Sequence, residues 1–342
     1  VRLDPVPTDR PPPVPGPLPR TVDDALTAVP TWPSDLLPGT GRTAVLWETL
    51  ATLAAGDLAV ARAVEPHLDA LAVLAQAGVR PTVVGATATW GVFAAEGPGV
   101  RLDARPSDDV PGGWVLSGVK PWCSLAGRLD AALVTAHLPD GGRGLFAVAL
   151  RDGADAGTVT VLDETWAARG LVEIPSTSVR FDDAPAEPVG GPDWYLTRPG
   201  FWWGGIGVAA CWYGGAVGVA RRLLDGVRGR DAPLLHAHLG AVDRALQSAR
   251  RALAEAAALV DAGTLDDAAG RLLAKRVRGT VAAVCEDVLA RAAHALGPAP
   301  LALEPEHAKR VADLQLYVRQ HHAERDDASL GSALAATDGV PW

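Results

Sequence analysis

The chain has 342 residues, 48% of them hydrophobic, enough for one large core or two to three smaller ones. Thirty-one basic against 40 acidic side chains give a net charge of −9 without any Lys/Arg run, which argues against nucleic-acid and anionic-membrane partners and leaves a small molecule or a second copy of the chain. Cys123, Cys211 and Cys285 are scattered, with no Cys-x-x-Cys or His-x-x-x-His spacing, so neither a disulfide framework nor a metal site is expected and a cytoplasmic location is the default.

Residues 1–33 hold ten prolines and no apolar signal-like stretch, and are expected to form an extended or partly disordered lead-in. Residues 34–81 are expected to form a helical region: Leu46, Leu50, Leu53 and Ala54, then Leu68, Leu71, Ala72 and Leu74, recur three and four apart, with Gly78 as a stop. Between 82 and 195 the texture turns to short β-rich runs broken by Gly, Pro and Asp. Strands are predicted at Trp90 to Ala94, Trp114 to Leu116, Ala131 to Ala136, Gly144 to Leu150, Thr158 to Leu162 and Ser178 to Phe181, a spacing that suits a β-barrel or sandwich. Pro111-Gly112-Gly113 is turn chemistry and Gly118 a second break, so this stretch reads as a hairpin whose last strand ends at Trp122 and Ser124.

Helices return in residues 196–342. Pro199 to Ala220 carries no charge and would be long enough to span a bilayer, but its seven glycines favour a buried central helix that lets a backbone or cofactor come close. Leu246, Leu253, Ala256, Ala257 and Val260 form one stripe, and Val281, Val284, Cys285, Val288, Leu289 and Leu296 another, stopped by Gly297 and Pro298. The expected fold is α+β with several domains: a short helical region, a central β-barrel and a C-terminal four-helix bundle.

Trp122 offers a flat apolar face, and Ser124, two residues on and on the same side of a regular strand, offers a hydrogen bond. Taken alone, that spacing equally fits a core tryptophan followed by a turn serine. Gly118, Lys120, Trp122 and Ser124 together resemble the Gly-x-Lys-x-Trp-Ile-(Thr/Ser)-Asn segment of the acyl-CoA dehydrogenase family, although Leu125-Ala126 stands where Asn-Gly is usual. The resemblance extends over most of residues 43 to 331 and implies FAD as cofactor, a homodimer or homotetramer, and a small-molecule substrate, acyl-CoA among the candidates. It implies that Trp122 packs on the isoalloxazine and that Ser124 bonds near flavin N5. Ala95, Glu96, Gly97 and Gly99 stand where the family's Thr-Glu-Pro-Gly turn meets the ring and phosphates, with Ala95 replacing the Thr. Gly170, Ser176, Thr177 and Ser178 resemble the Gly-x-x-x-Ser-Thr segment, and Phe181 to Ala186 its exit strand. Arg228 with Pro233 and His294 with Gly297 stand in partial matches to the two segments that hold the adenosine diphosphate end of FAD across a subunit interface.

The family's Glu-Gly-Thr base is absent; at a comparable distance the chain reads Tyr317-Val318-Arg319-Gln320-His321-His322-Ala323-Glu324-Arg325-Asp326. Read as a helix, this places His321 with Arg325 and Gln320 with Glu324, either as an exposed charge-laced face or as a set of acid–base groups. His321, His322 and Glu324 are therefore the candidate catalytic groups. His236, His238 and His67 read as surface or capping groups. Three functions follow: FAD-dependent hydride removal from an acyl thioester or related substrate; flavin-dependent monooxygenation, with His321 or His322 as the acid–base group; or a degenerate binding or assembly subunit.

Overall fold

The computed structural model describes residues 1–3 and 14–337. The first helix, α1 (Val22–Ala28), lies within the stretch expected to be extended. Its cause is local: Thr21 accepts from the Asp24 amide and the Asp24 carboxylate reaches back to the Thr21 amide, a capping box that outweighs the neighbouring prolines. A 3₁₀ turn follows at Val29–Thr31, and Leu3 and Val14 are buried, so the described parts of the lead-in pack onto the body.

The helical region divides at Asp57 into α2 (Thr43–Gly56) and α3 (Leu58–Ala77), because the Asp57 carboxylate caps the Ala59 amide and starts a new helix. Gly78 ends α3 in a left-handed conformation, where the sequence placed the stop. The strands are β1 (Trp90–Phe93), β2 (Leu102–Pro106), β3 (Trp114–Ser124), β4 (Ala131–His137), β5 (Arg143–Ala149), β6 (Val159–Val161) and β7 (Ser176–Pro188), with the short helix α4 (Leu150–Asp155) after β5. The pairings close on themselves: β5 takes one edge of β4, β1 and the end of β2 share the other, β2 pairs β3, β3 pairs β7 and β7 returns to β5. Strand β2, whose two charges mask its alternation, had no counterpart among the predicted runs.

Gly118 is a bulge within β3 and not a break. It pairs with both Leu102 and Phe181, and a Cβ there would lie 2.2 Å from the Arg101 carbonyl oxygen, so the residue must be glycine for β2 and β3 to approach. Strand β4 is buried on both faces: Ala131 and Leu133 pack with Ala70, Val73 and Leu74 of α3, while Ala132, Val134 and Ala136 join the main core.

After the short α5 (Trp194–Thr197), the uncharged segment forms α6 (Gly200–Val227), followed by α7 (Pro233–Ala262), α8 (Asp267–Leu296), α9 (Ala299–Leu303), α10 (Pro305–Tyr317) and α11 (Glu324–Ala335). Helices α6, α7 and α8 pack against one another, α10 packs on α6 and α8, and α2 lies along α6. Both apolar stripes face inward, with Leu253, Ala256, Ala257 and Val260 of α7 and Val281, Val284, Cys285 and Val288 of α8 buried. Among the described residues no helix is long and apolar enough to cross a membrane; α6 is a central helix instead.

The glycines of α6 let α2 come close. A Cβ on Gly214 would sit 2.2 Å from the Ala51 carbonyl oxygen and 2.7 Å from its Cα. Gly214→Ala should therefore cost about 2 kcal/mol or more of unfolding free energy by overpacking. Gly240→Ala, on α7 where an added methyl meets no atom within 4 Å, should instead stabilise by roughly 0.5–1 kcal/mol through helix propensity. Denaturant unfolding of the two variants checks both signs.

Candidate active site between barrel and helices

The last turns of β3 depart from regular strand geometry where the sequence placed the site. Trp122 and Leu125 hold left-handed backbone at φ 60° and 59°, and the β3–β7 register shifts between Lys120 and Cys123. A non-glycine residue in this region costs of order 1–3 kcal/mol and persists only where its surroundings impose it. Here the Leu125 amide donates to the Pro175 carbonyl at 2.9 Å, and Ser124 and Ser176 share a hydroxyl–hydroxyl bond of 2.7 Å. The bulge breaks the alternation expected of the strand, leaving Trp122 59% exposed while Ser124 is buried. Trp122 is thus no core tryptophan; its indole is presented outward on a strained backbone.

Lys120, 1% exposed, supports this strand end from beneath. Its ammonium donates to Glu96 and Thr135 at 2.7 and 2.8 Å. Burial pulls the Lys120 pKa down, and Glu96 opposes the shift. Glu96 also faces Arg143 at 2.9 Å and His137 at 3.5 Å. Although burial works against it, the Lys120 hydrogen bond and the charges of Lys120 and Arg143 leave the Glu96 carboxyl below its ordinary range. Its carboxylate is therefore engaged in holding the 95–99 turn to the barrel. Gly97 closes the turn on the Pro121 ring, where an added Cβ would lie 3.1 Å away; Ala95 is exposed, and Gly99 is left-handed at φ 76°.

Facing Ser124 across the layer boundary is a charged face of α3. Arg62 donates through Nη2 to Ser124 Oγ at 2.9 Å, and its other terminal nitrogen lies 3.7 Å from Glu65 Oε2. Tyr317, at the end of α10, is 2% exposed; its hydroxyl approaches Glu65 at 3.5 Å and its ring lies beneath the Arg62 guanidinium at 5.6 Å. Burial raises the Glu65 carboxyl to about 7, against a smaller opposing pull from Arg62. One helical turn on, Asp69 is likewise raised by burial and faces Arg198 at 3.8 Å. Arg278 of α8 lies over Trp212 at 4.7 Å, and the edge of the Trp212 ring system meets both Tyr317 and His321.

The run from Tyr317 to Asp326 is not one helix. Helix α10 ends at Tyr317, a 3₁₀ turn covers Val318–Gln320, and Ala323 turns left-handed at φ 46° before α11 begins at Glu324. The expected pairing of His321 with Arg325, and of Gln320 with Glu324, on one helix face is therefore replaced by a bend. His321 is buried, 3.7 Å from Asp326 through Nε2. Burial lowers its pKa, and Asp326 partly restores it. His322 is on the surface, 3.5 Å from Asp326, and Glu324 is exposed in the first turn of α11. Thus His321 joins the interior polar layer through Trp212, whereas His322 and Glu324 do not.

Arg228 caps α6 and pairs with Asp225 at 3.2 Å. His294, in the last turn of α8, has its ring 6.1 Å from that of His238, and Gly297 ends the helix. These three stand at neighbouring helix ends, where Gly226 of α6 meets Leu296 of α8, and not around Trp122. His67 is no surface group: it is 2% exposed, and its Nδ1 accepts from the Trp90 amide at 3.2 Å. Sequence reasoning missed Arg62, Glu65, Asp69 and Arg278. The available signal was three charges, three and four apart, in an otherwise apolar helix.

The ring end of a flavin fits these residues: an outward indole, a buried serine hydroxyl two positions on, and a guanidinium nitrogen, Arg62 Nη1, that is buried without a hydrogen-bond acceptor. The folded state binds the Glu65 proton more tightly than the unfolded chain, whose carboxyl titrates near 4.5, so the stability it allows is greatest below that value and is lost as pH rises through about 7. Glu65→Gln should remove this slope, roughly 1.4 kcal/mol per pH unit across the window at most. Unfolding free energies of both proteins at pH 5 and pH 7.5 check this; a constant difference between them would refute the assignment.

No protein-family model matches the sequence, and no curated protein is detectably similar to it. Solved structures do resemble it. Butyryl-CoA dehydrogenase from Megasphaera elsdenii superposes with a TM-score of 0.77 at 17% identity, over 92% of this chain and 89% of that one. TdsC from Paenibacillus sp. A11-2, a dibenzothiophene monooxygenase, in its complex with FMN and indole gives 0.73 at 18% identity, over 87% and 85% of the two chains. XiaF from Streptomyces sp., in complex with FADH2 and glycerol, gives 0.73 at 18% identity over 93% and 89%. At these identities the likeness is one of fold, and this chain has the acyl-CoA dehydrogenase fold.

Proposed function

We propose that the chain is a flavin-dependent oxidoreductase acting on a small molecule, with the flavin ring packed on Trp122 and its N5 edge toward Ser124. The observation that carries this is Trp122 itself, 59% exposed on a left-handed backbone beside a buried serine. A bound flavin would supply two-electron chemistry. Trp122 would provide the stacking face, and Arg62, by donating to Ser124 Oγ, leaves the serine proton to point toward Ser176 or toward a ligand. FAD is the form the sequence resemblance implies, and TdsC and XiaF, with FMN and FADH2 respectively, support a flavin of either kind.

Between the two reaction types, oxygen-dependent chemistry is the better supported. Acyl thioester oxidation needs an ionised carboxylate to take the α-proton as hydride leaves. From Ser124 the polar contacts lead through Arg62 to Glu65, a buried carboxyl held between Arg62 and the Tyr317 hydroxyl, and Glu324 lies on the surface. The groups that do converge are hydroxyls, a guanidinium and, one ring further, the His321 imidazole, which suit stabilising a developing negative oxygen.

Purified protein should show a flavin absorption spectrum, with the chromophore released on denaturation identified as FAD or FMN by chromatography. Trp122→Ala should weaken flavin retention about tenfold through lost stacking. A colourless protein that takes up neither flavin would refute the proposal and favour a binding or assembly subunit. With reduced flavin supplied, substrate-dependent oxygen uptake is expected; anaerobic bleaching by butyryl-CoA would instead establish dehydrogenation.

A further inference from the structure

Between β6 and β7, residues 162–175 form neither helix nor strand, yet the middle of this segment is fixed against α10. A Cβ on Gly170 would sit 2.1 Å from the Ala312 carbonyl oxygen and 2.7 Å from the Asp313 nitrogen, so the two backbones are in direct contact. Leu171, left-handed at φ 50° without being glycine, donates its amide to Asp313 Oδ1 at 2.6 Å. Asp313 is 1% exposed and its other oxygen accepts from Lys309 at 2.7 Å, so both carboxylate oxygens are engaged. The Leu171 carbonyl accepts from the Trp166 indole at 3.1 Å and from the Ile174 amide at 3.0 Å, which folds the segment around the anchored residue. Such a backbone persists only where its surroundings impose it, and here the buried carboxylate does so.

Two paths lead from this anchor to Ser124. Along the segment, the Pro175 carbonyl accepts the Leu125 amide at 2.9 Å, and Ser176, whose hydroxyl donates to the Ile174 carbonyl at 3.2 Å, bonds Ser124 at 2.7 Å. Through Lys309, the anchor also reaches α3. That ammonium lies 3.4 Å from Glu173 and donates at 3.0 Å to Asp57, the carboxylate that caps the start of α3. Helix α3 carries Arg62, which donates to Ser124 at 2.9 Å. The strained end of β3 is thus placed by α10 as well as by the barrel.

We infer that Asp313 is a positioning residue for the Trp122–Ser124 strand end, acting through residues 171–176 to hold Leu125 and Ser124 and, with them, the face that Trp122 presents to a flavin. The last clause rests on the proposed flavin function; the positioning does not. Hydrogen exchange read by mass spectrometry on the protein as purified, in peptides spanning residues 122–129 and 168–177, tests it.

In Asp313→Ala both peptides should exchange about tenfold faster, because the buried Leu171 amide loses its acceptor. Asp313→Asn, whose amide oxygen can still accept from Leu171, should stay within about threefold of the unmodified protein. Gly214→Ala controls for general loosening, since its added methyl meets α2 and not this segment. Should Asp313→Ala not fold, Gly170→Ala, which parts the segment from α10 with the carboxylate intact, should speed the same two peptides. Unchanged exchange at 122–129, an equal loss in Asp313→Asn, or acceleration no more selective than in Gly214→Ala would overturn the inference. Where the unmodified protein carries flavin, Asp313→Ala should hold it about tenfold more weakly and Asp313→Asn nearly as well as the unmodified protein; unchanged retention in the alanine variant would also overturn it. A colourless unmodified protein whose 122–129 peptide still depends on Asp313 would remove the flavin function and leave the positioning role standing.

Discussion

The charged face of α3 is the constraint around which the interior is arranged. Arg62, Glu65 and Asp69 lie one above another on a helix whose other faces are apolar, and the barrel and the bundle close over them. Charges removed from water are tolerated only where partners of opposite sign, hydroxyls or aromatic faces meet them. Each partner comes from a different element: Ser124 from β3, Arg198 from the segment before α6, Tyr317 from α10. Meeting the needs of one helix face thus sets the register of helical layer, barrel and bundle at once.

The end of β3 shows the same economy at smaller scale. Two non-glycine residues in left-handed conformation bracket Cys123 and Ser124, and the hydrogen bonds to Pro175 and Ser176 hold them there. Below, the Lys120–Glu96 pair ties the 95–99 turn to the same strand. The result is an aromatic surface and a hydroxyl whose relative position is fixed before any ligand arrives, which is what a stacked cofactor requires. The departures from the family pattern acquire a physical meaning here. Ala95 offers no hydroxyl, and Glu96 is committed to cations of the barrel, so the turn contributes backbone and shape more than side-chain ligands.

The fold is shared with an acyl-CoA dehydrogenase, but fold alone does not carry that enzyme's substrate with it.

Much of this molecule could be read locally. Gly78 and Gly297 mark helix ends, the apolar stripes of α7 and α8 point inward, the small residues of α6 announce a close helix crossing, and Trp122 and Ser124 mark the strand end proposed to hold the flavin. Each follows from short-range chemistry: φ freedom, periodicity, side-chain size. Other features were beyond local reading because their cause lies far along the chain. The division of α2 from α3 turns on one capping carboxylate, and the continuity of β3 through Gly118 on its neighbours β2 and β7. His321 turns inward because a bend, not a helix, follows Tyr317. Arg62 and Glu65 look like an ordinary i,i+3 surface pair until 252 positions separate Glu65 from the tyrosine that packs on it. Periodicity and turn chemistry are properties of neighbours in sequence and were legible there; burial, desolvation and the pairing of distant charges are properties of neighbours in space, and only the folded chain decides them.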